Sequence, residues 1–138
     1  MRTLNAVASR AALEVGVRCA TDVTGFGLLG HASHIARASG VTLRLNGTAL
    51  PELSGARALW EGGVRTGGAE RNQSFVAPLV DWSGARAADV ALALDPQTSG
   101  GLLVAVPSAR AAEYLSAVAG SVVIGSVEPR GNVFIVLG

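Results

Sequence analysis

The spacing of apolar residues in the first part of the chain predicts helices and short strands. Apolar side chains recur every three or four positions before Gly16 and again after Phe26, which is typical of amphipathic helices. Residues 41–45 alternate between apolar and polar, and Asn46-Gly47 predicts a turn after them. The predicted elements are a helix over residues 4–15, an extended run over 17–23, a helix over 26–38 that Gly40 ends, and a strand over 41–45.

The rest of the chain mixes helices and strands without a strict strand–helix–strand repeat. Four glycines within residues 62–68 predict a loop, and Ser108 is expected to cap a helix. The further predicted elements are a short helix over 51–61, a helix over 85–94, a turn over 95–100, a buried strand over 102–106, a helix over 108–118, and strands over 121–127 and 133–137 that form a hairpin. This order predicts one domain over residues 1–138, with an α+β fold in which helices pack on a mixed, largely antiparallel sheet.

Composition and charge narrow the possible partners. Apolar residues make up 49% of the 138 residues, which argues against intrinsic disorder. Charged residues make up only 15%, against a usual value of about 25%. Either the composition is biased toward Ala, Gly and Val, or a partner domain covers part of the surface. The net charge is +1 and the basic residues, all arginines, are scattered singly, so we expect no nucleic-acid partner.

Cysteine usage and hydropathy indicate a cytoplasmic protein. Cys19 is the only cysteine, so the chain can form no internal disulfide. It lies in an apolar run and is interpreted as a small buried residue rather than a nucleophile. The first residues do not form a signal peptide, and no charge-free run is long enough to span a bilayer. We therefore expect no membrane association.

The stretch ATDVTGFGLLGH, residues 20–31, combines a carboxylate, a hydroxyl and closely spaced glycines between a strand and a helix. Asp22 has the oxygen ligands that Mg²⁺ prefers, and the amides after Thr24 can face an anion at the start of a helix. From the spacing alone a purely structural interpretation is favoured: Thr24 caps the helix and Asp22 accepts hydrogen bonds from turn amides. His31 is expected to pack locally, and His34 is expected to be solvated.

Two other segments carry polar residues beside glycine pairs. In DPQTSGG, Ser99 has no neighbouring His or Lys to activate it, so a hydrolase is disfavoured and a loop-to-strand turn is favoured. In GGVRTGGAERN, Arg65, Arg71 and Asn72 are candidates for phosphate contacts, although an exposed glycine-rich loop explains them nearly as well.

Together, three segments resemble the selenophosphate synthetases, also called selenide, water dikinases. They are ATDVTGFGLLGH, GGAERN and LDPQTSGGLLVAV, which occur in that family's order and at similar separations over nearly the whole chain. The resemblance identifies the chain as a C-terminal domain of the AIR synthetase superfamily. It implies that an N-terminal domain, absent here, carries the nucleotide-binding segment, the catalytic residues and most of the metal-binding aspartates.

Site residues follow from the same resemblance. Asp22 corresponds to the carboxylate that the C-terminal domain adds to a Mg²⁺ site at the cleft between the domains, and Thr24, Gly25 and Gly27 shape the loop around it. The remaining residues are expected to line the cleft near the nucleotide phosphates: Asn72, Thr98, Ser99, Gly100 and Gly101. The family reaction converts ATP, selenide and water into selenophosphate, AMP and phosphate.

No catalytic residue is assigned to this chain, so we expect it to be inactive alone and to bind no Mg²⁺ by itself. The resemblance implies a homodimeric full-length enzyme. Two alternatives remain open from the sequence. The chain is a freestanding binding or dimerisation module, or it is the C-terminal half of a related ATP-dependent enzyme with another substrate.

Overall fold

The fold was described from a computed structural model, which covers residues 4–138. These residues form six α-helices, six strands and three short 3₁₀ turns. In chain order they are α1 (Ala6–Glu14), β1 (Ala20–Asp22), α2 (Gly27–Ser39), β2 (Val41–Leu45), α3 (Ala56–Glu61), α4 (Gly67–Val76), β3 (Val80–Asp81), α5 (Ala87–Leu94), β4 (Leu102–Val104), α6 (Ala111–Ala117), β5 (Gly125–Pro129) and β6 (Ile135–Leu137).

The larger sheet has the strand order β3-β6-β2-β5. Strand β6 runs parallel to β2 and β3, whereas β5 runs antiparallel to β2. Helices α2, α4 and α5 cover this sheet, and the side chains of Leu29, Val76, Ile135 and Leu137 are fully buried between the layers. This cluster is the main hydrophobic core.

The remaining elements form a second, smaller sheet and a second buried cluster. Strands β1 and β4 form the sheet as an antiparallel pair, with Asp22 opposite Leu102. Helices α1 and α6 bury a second cluster, in which Ala11, Ala12, Val15 and Tyr114 contact one another. The two-stranded sheet leads directly into the segments that the sequence singled out.

The α+β class and the mixed sheet are confirmed, but the larger sheet is not largely antiparallel as predicted, because β6 runs parallel to both of its neighbours. Helices α1, α2 and α5 and strand β2 lie where the apolar spacing predicts them. Gly40 ends α2 in the left-handed conformation, with φ of 64°. The Asn46-Gly47 turn is also present, because the Asn46 side chain accepts a hydrogen bond from the Thr48 amide.

The predicted hairpin of the last two strands is wrong. Strand β2 lies between them, so that Leu43 pairs with Val127 on one side and with Ile135 on the other. The Thr42 side chain bridges the connecting loop, donating to the Val133 carbonyl at 2.7 Å and accepting from the Gly131 amide at 2.9 Å. The two strands therefore pair with β2 rather than with each other.

Helix α4 was missed, because its glycine-rich start predicts a loop through residue 68. Helix α4 begins at Gly67, where tertiary packing overrides the weak helix propensity of glycine. A Cβ atom at Gly68 would lie 2.4 Å from the ring of Pro96, so close approach to the 95–101 segment requires a glycine there.

Smaller corrections concern the ends of elements. Ser108 does not cap the last helix: it opens a 3₁₀ turn, and α6 begins only at Ala111 without a side-chain cap. Strand β4 is half-buried rather than buried and is shorter than predicted. Strand β3 had no sequence signal. Helix α3 begins at Ala56, and β5 begins at Gly125 rather than at residue 121.

Candidate functional site

Two loops meet at the end of the small sheet. The Asp22 loop (residues 22–27) leaves β1 and enters α2, and the Gly100 loop (residues 95–101) leaves α5 and enters β4. The Gly100 amide donates to the Val23 carbonyl at 2.9 Å, and the Gln97 amide donates to the Thr24 carbonyl at 3.0 Å. The structure thus brings together two segments that the sequence keeps far apart.

Two glycines allow the loops to approach this closely. Gly27 has φ of +66°, and a Cβ atom there would lie 2.8 Å from the carbonyl carbon and oxygen of Leu94. At Gly100 a Cβ atom would lie 2.4 Å from the Val23 carbonyl oxygen. Gly25 and Gly101 differ, since a Cβ atom at either would meet nothing within 4 Å. Gly27 and Gly100 are therefore required by packing.

Asn72 connects the third segment to both loops. Its side-chain amide donates to the Gly25 carbonyl at 3.0 Å and to the Leu94 carbonyl at 2.9 Å. The residue is 6% exposed and lies on α4, beneath the loops. Its side-chain nitrogen therefore faces the backbone of the loops.

Thr24 bonds to a histidine rather than to the helix start. The Thr24 hydroxyl lies 3.0 Å from Nε2 of His31, and Phe26 occupies the N-cap position of α2 without a side-chain cap. The capping role considered for Thr24 is therefore absent. Burial lowers the pKa of His31 below its ordinary 6.5, the Asp22 carboxylate raises it in part, and His34 lowers it. His31 packs locally and His34 is exposed, as the sequence predicted.

Asp22 has the exposure expected of a metal ligand. It is exposed at the end of β1, and the ion pairs within residues 4–138 do not involve it. Those residues contain no group of three or more His, Cys, Asp or Glu side chains that could hold a metal ion. The donor set fits one oxygen ligand of a Mg²⁺ site whose other ligands come from elsewhere.

The remaining candidate residues lie around Asp22 at the surface. Thr98, Ser99 and Gly101 are exposed in the Gly100 loop, and Gly25 is exposed in the Asp22 loop. Within residues 4–138, no hydrogen bond uses the amide of Gly25. These groups are accessible to a ligand approaching the junction of the two loops.

The arginines considered for phosphate contacts lie elsewhere on the surface. The Arg65 guanidinium stacks on the Trp60 ring, 4.5 Å from its centre, and Arg71 is exposed on α4. Cys19 is half-buried rather than buried and lines an open groove between α1 and β1 that ends at Asp22.

A buried carboxylate was missed by the sequence reasoning. Asp89 on α5 is 2% exposed and accepts hydrogen bonds from Arg86 at 2.8 Å and from Arg57 at 2.6 Å. A Cβ atom at Gly47 would lie 2.7 Å from the Asp89 Cβ. The one available signal was a lone aspartate in the otherwise apolar segment AADVALAL. This ion pair network joins α3 to α5.

The family model for the C-terminal domain of AIR synthase related proteins matches residues 1–138. The chain belongs to this family. Among residues 4–138 of this family member, no helix combines the length and the apolar character needed to cross a membrane.

Similar proteins with known names are longer members of the same group. A selenide, water dikinase of Caldanaerobacter subterraneus subsp. tengcongensis is 43% identical over 113 residues, which are 82% of this chain and 33% of that protein. A selenide, water dikinase of Desulfitobacterium hafniense is 37% identical over 142 residues, which cover 100% of this chain and 42% of that protein. One from Burkholderia pseudomallei is 52% identical over 91 residues, or 65% of this chain and 26% of that protein. The AIR synthase related domain described here thus spans 33% of the length of the first of these relatives and 42% of the second.

Proposed function

We propose that this chain acts as the C-terminal domain of a selenide, water dikinase, which makes selenophosphate from selenide, ATP and water. The observation that carries the proposal is an exposed Asp22 at the junction of the two loops, in a chain similar to proteins that bear this name. The product set, AMP and phosphate, follows from the resemblance of the three segments.

In this proposal Asp22 supplies one oxygen ligand to a Mg²⁺ ion that also contacts ATP. When bound, such an ion neutralises charge on the phosphates during transfer. The amide of Gly25 and the start of α2 lie beside Asp22 and favour an anion there. Thr98, Ser99 and Gly101 form the opposite side of the same surface. No chemical step is assigned to any of these residues.

The remaining ligands and the nucleophile would come from an N-terminal domain. The incomplete donor set around Asp22 supports this part of the proposal. Exposed apolar side chains on α1, including Val7 and Leu13 at 60% and 75% exposure, are available for contact with such a domain. The full enzyme is proposed to be a cytoplasmic homodimer, and the chain alone is proposed to be inactive.

The test uses Asp22→Asn in the protein that contains both domains. Selenophosphate formation should fall strongly and should require more Mg²⁺, because a metal ligand has lost its charge. Asp81→Asn is the matched control, since Asp81 is also an exposed aspartate at the end of a short strand. Wild-type activity and Mg²⁺ dependence for Asp22→Asn would exclude the ligand role. The 138-residue chain alone is assayed in the same way, with ³¹P NMR to detect the product. Selenophosphate formation by that chain would contradict the predicted inactivity.

A further inference from the structure

Within residues 4–138, Asn72 is the one side chain that hydrogen-bonds both to the backbone of the Asp22 loop, at Gly25, and to the residue directly before the Gly100 loop, Leu94. A carboxamide nitrogen carries two N–H groups in a fixed plane. One group reaches the Gly25 carbonyl at 3.0 Å and the other reaches the Leu94 carbonyl at 2.9 Å. Both donors are therefore used in setting the distance between these two backbone segments.

The two carbonyl groups depend on this partner. Leu94 is the last residue of α5, where carbonyl oxygens lack partners within the helix. Gly25 lies in the irregular segment between β1 and α2. The segments meet at Gly27, where no side chain fits between the backbone and Leu94. Asn72, which is 6% exposed, lies on α4 and contacts this junction from the buried side.

The two residues that Asn72 contacts are close in sequence to the candidate metal ligand Asp22 and to the Gly100 loop. Gly25 follows Asp22 after two residues, and the Gly100 loop begins at Asp95, directly after Leu94. A shift of either carbonyl would move one side of the candidate site relative to the other. Metal and phosphate sites require their groups to be held within about 0.5 Å of the productive arrangement.

We propose that Asn72 is a positioning residue, which fixes the separation of the Asp22 and Gly100 loops and thereby the placement of the Asp22 carboxylate. It contacts neither metal nor substrate. The inference rests on the proposed function for its catalytic consequence, whereas the effect on the loops does not depend on it.

Val76 provides a matched control on the same helix. Its side chain is fully buried in the main core, one turn after Asn72, and belongs to neither loop. Val76→Ala removes buried apolar groups and destabilises the same helix. It should do so without releasing the Gly25 and Leu94 carbonyls. Asn72→Gln is the conservative variant, because it retains both donors on a side chain one methylene longer.

The experiment compares Asn72→Ala, Asn72→Gln and Val76→Ala in the protein that contains both domains. Loss of a group that hydrogen-bonds directly to a metal ligand typically weakens metal binding by about 10–100-fold, and Asn72 lies one step further out, on the backbone that carries Asp22. Asn72→Ala should therefore raise the half-saturating Mg²⁺ concentration for selenophosphate formation by up to about 10-fold. The increase should be smaller for Asn72→Gln and absent for Val76→Ala. Equal effects of Asn72→Ala and Val76→Ala would show a merely structural role and overturn the proposal.

Hydrogen exchange of the chain itself separates this proposal from the proposed function. In Asn72→Ala, amides of residues 22–27 and 95–101 should exchange faster than in Val76→Ala. Unchanged exchange in those residues would overturn the positioning role whatever the enzyme does. If the wild-type two-domain protein makes no selenophosphate, the proposed function fails, while the exchange measurement still decides whether Asn72 positions the loops. Should Asn72→Ala fail to fold, Asn72→Gln serves in both measurements.

Discussion

The Val23 backbone hydrogen-bonds in both directions with the glycine pair that follows Ser99. Its carbonyl accepts from the Gly100 amide at 2.9 Å, and its amide donates to the Gly101 carbonyl at 3.0 Å. These two bonds extend the β1–β4 pairing into the Asp22 and Gly100 loops. The two glycines are adjacent in sequence but have different surroundings, and this difference can be tested.

Gly100→Ala should destabilise the protein, whereas Gly101→Ala should not. A Cβ atom at Gly100 would lie 2.4 Å from the Val23 carbonyl oxygen, and overpacking of this kind typically costs about 1–3 kcal/mol. At Gly101 a Cβ atom would meet nothing within 4 Å. Urea unfolding of both variants measures the difference in free energy of unfolding. Equal stability of the two variants would mean that the loops do not meet as described.

Gly27→Ala should also destabilise the protein, for two reasons. Its φ of +66° is strained for alanine, at a cost of about 1–2 kcal/mol, and the new methyl group would contact the Leu94 backbone at 2.8 Å. Gly25→Ala is the control in the same loop, because it has open space and no positive φ. Thermal unfolding should show a clearly lower midpoint for Gly27→Ala alone. A similar fall for Gly25→Ala would indicate a general sensitivity of the loop.

Replacing Asp89 by alanine should be among the most damaging single changes in this chain. It removes a buried carboxylate and with it the three charge-assisted hydrogen bonds from Arg57 and Arg86. Glu128→Ala, which breaks the exposed pair with Arg44, should change stability little. Urea unfolding of the two variants provides the comparison. If Asp89→Ala lowers the free energy of unfolding no more than Glu128→Ala does, the network does not stabilise the fold as described.

Asp89 should also make the free energy of unfolding depend on pH in the acidic range. Its hydrogen bond with Arg86, followed by that with Arg57, holds the pKa of Asp89 below its ordinary 3.8 despite burial. The folded state therefore binds fewer protons than the unfolded state. The stabilisation is fully present above the unfolded pKa and is lost as pH falls through the lower folded pKa. Stability curves measured between pH 5 and pH 2 should be flatter for Asp89→Asn than for the wild type. An unchanged slope would count against this assignment.

His31 offers a test of the geometry around Asp22. Burial lowers the pKa of His31 below 6.5, and the nearby Asp22 carboxylate opposes the shift. NMR titration of the His31 ring should therefore give a value below 6.5, and Asp22→Asn should lower it further. The depressed pKa means that His31 favours the folded state fully above pH 6.5 and that this contribution is lost as pH falls. A rise in the His31 pKa on Asp22→Asn would refute the predicted proximity.

Local sequence determined the elements with strong periodicity and clear ends. Helix α2 and strand β2 follow from apolar spacing, and Gly40 separates them because it readily adopts positive φ. The three polar segments likewise indicated a candidate site, and the family to which they point is confirmed by the match over residues 1–138. The roles assigned to Asp22 and its neighbours, and the single-domain assignment, stay predictions.

Tertiary structure decided what depends on contacts between distant residues. The strands β5 and β6 pair with opposite edges of β2, where Leu43 lies opposite Val127 and Ile135, and no local pattern contains that choice. Helix α4 begins at the glycine-rich segment because Gly68 packs against Pro96. The sequence alone indicated the candidate residues for metal or phosphate binding, which stay predictions. Only the non-local hydrogen bonds of Asn72 and the close glycine contacts decided how the two loops are held together.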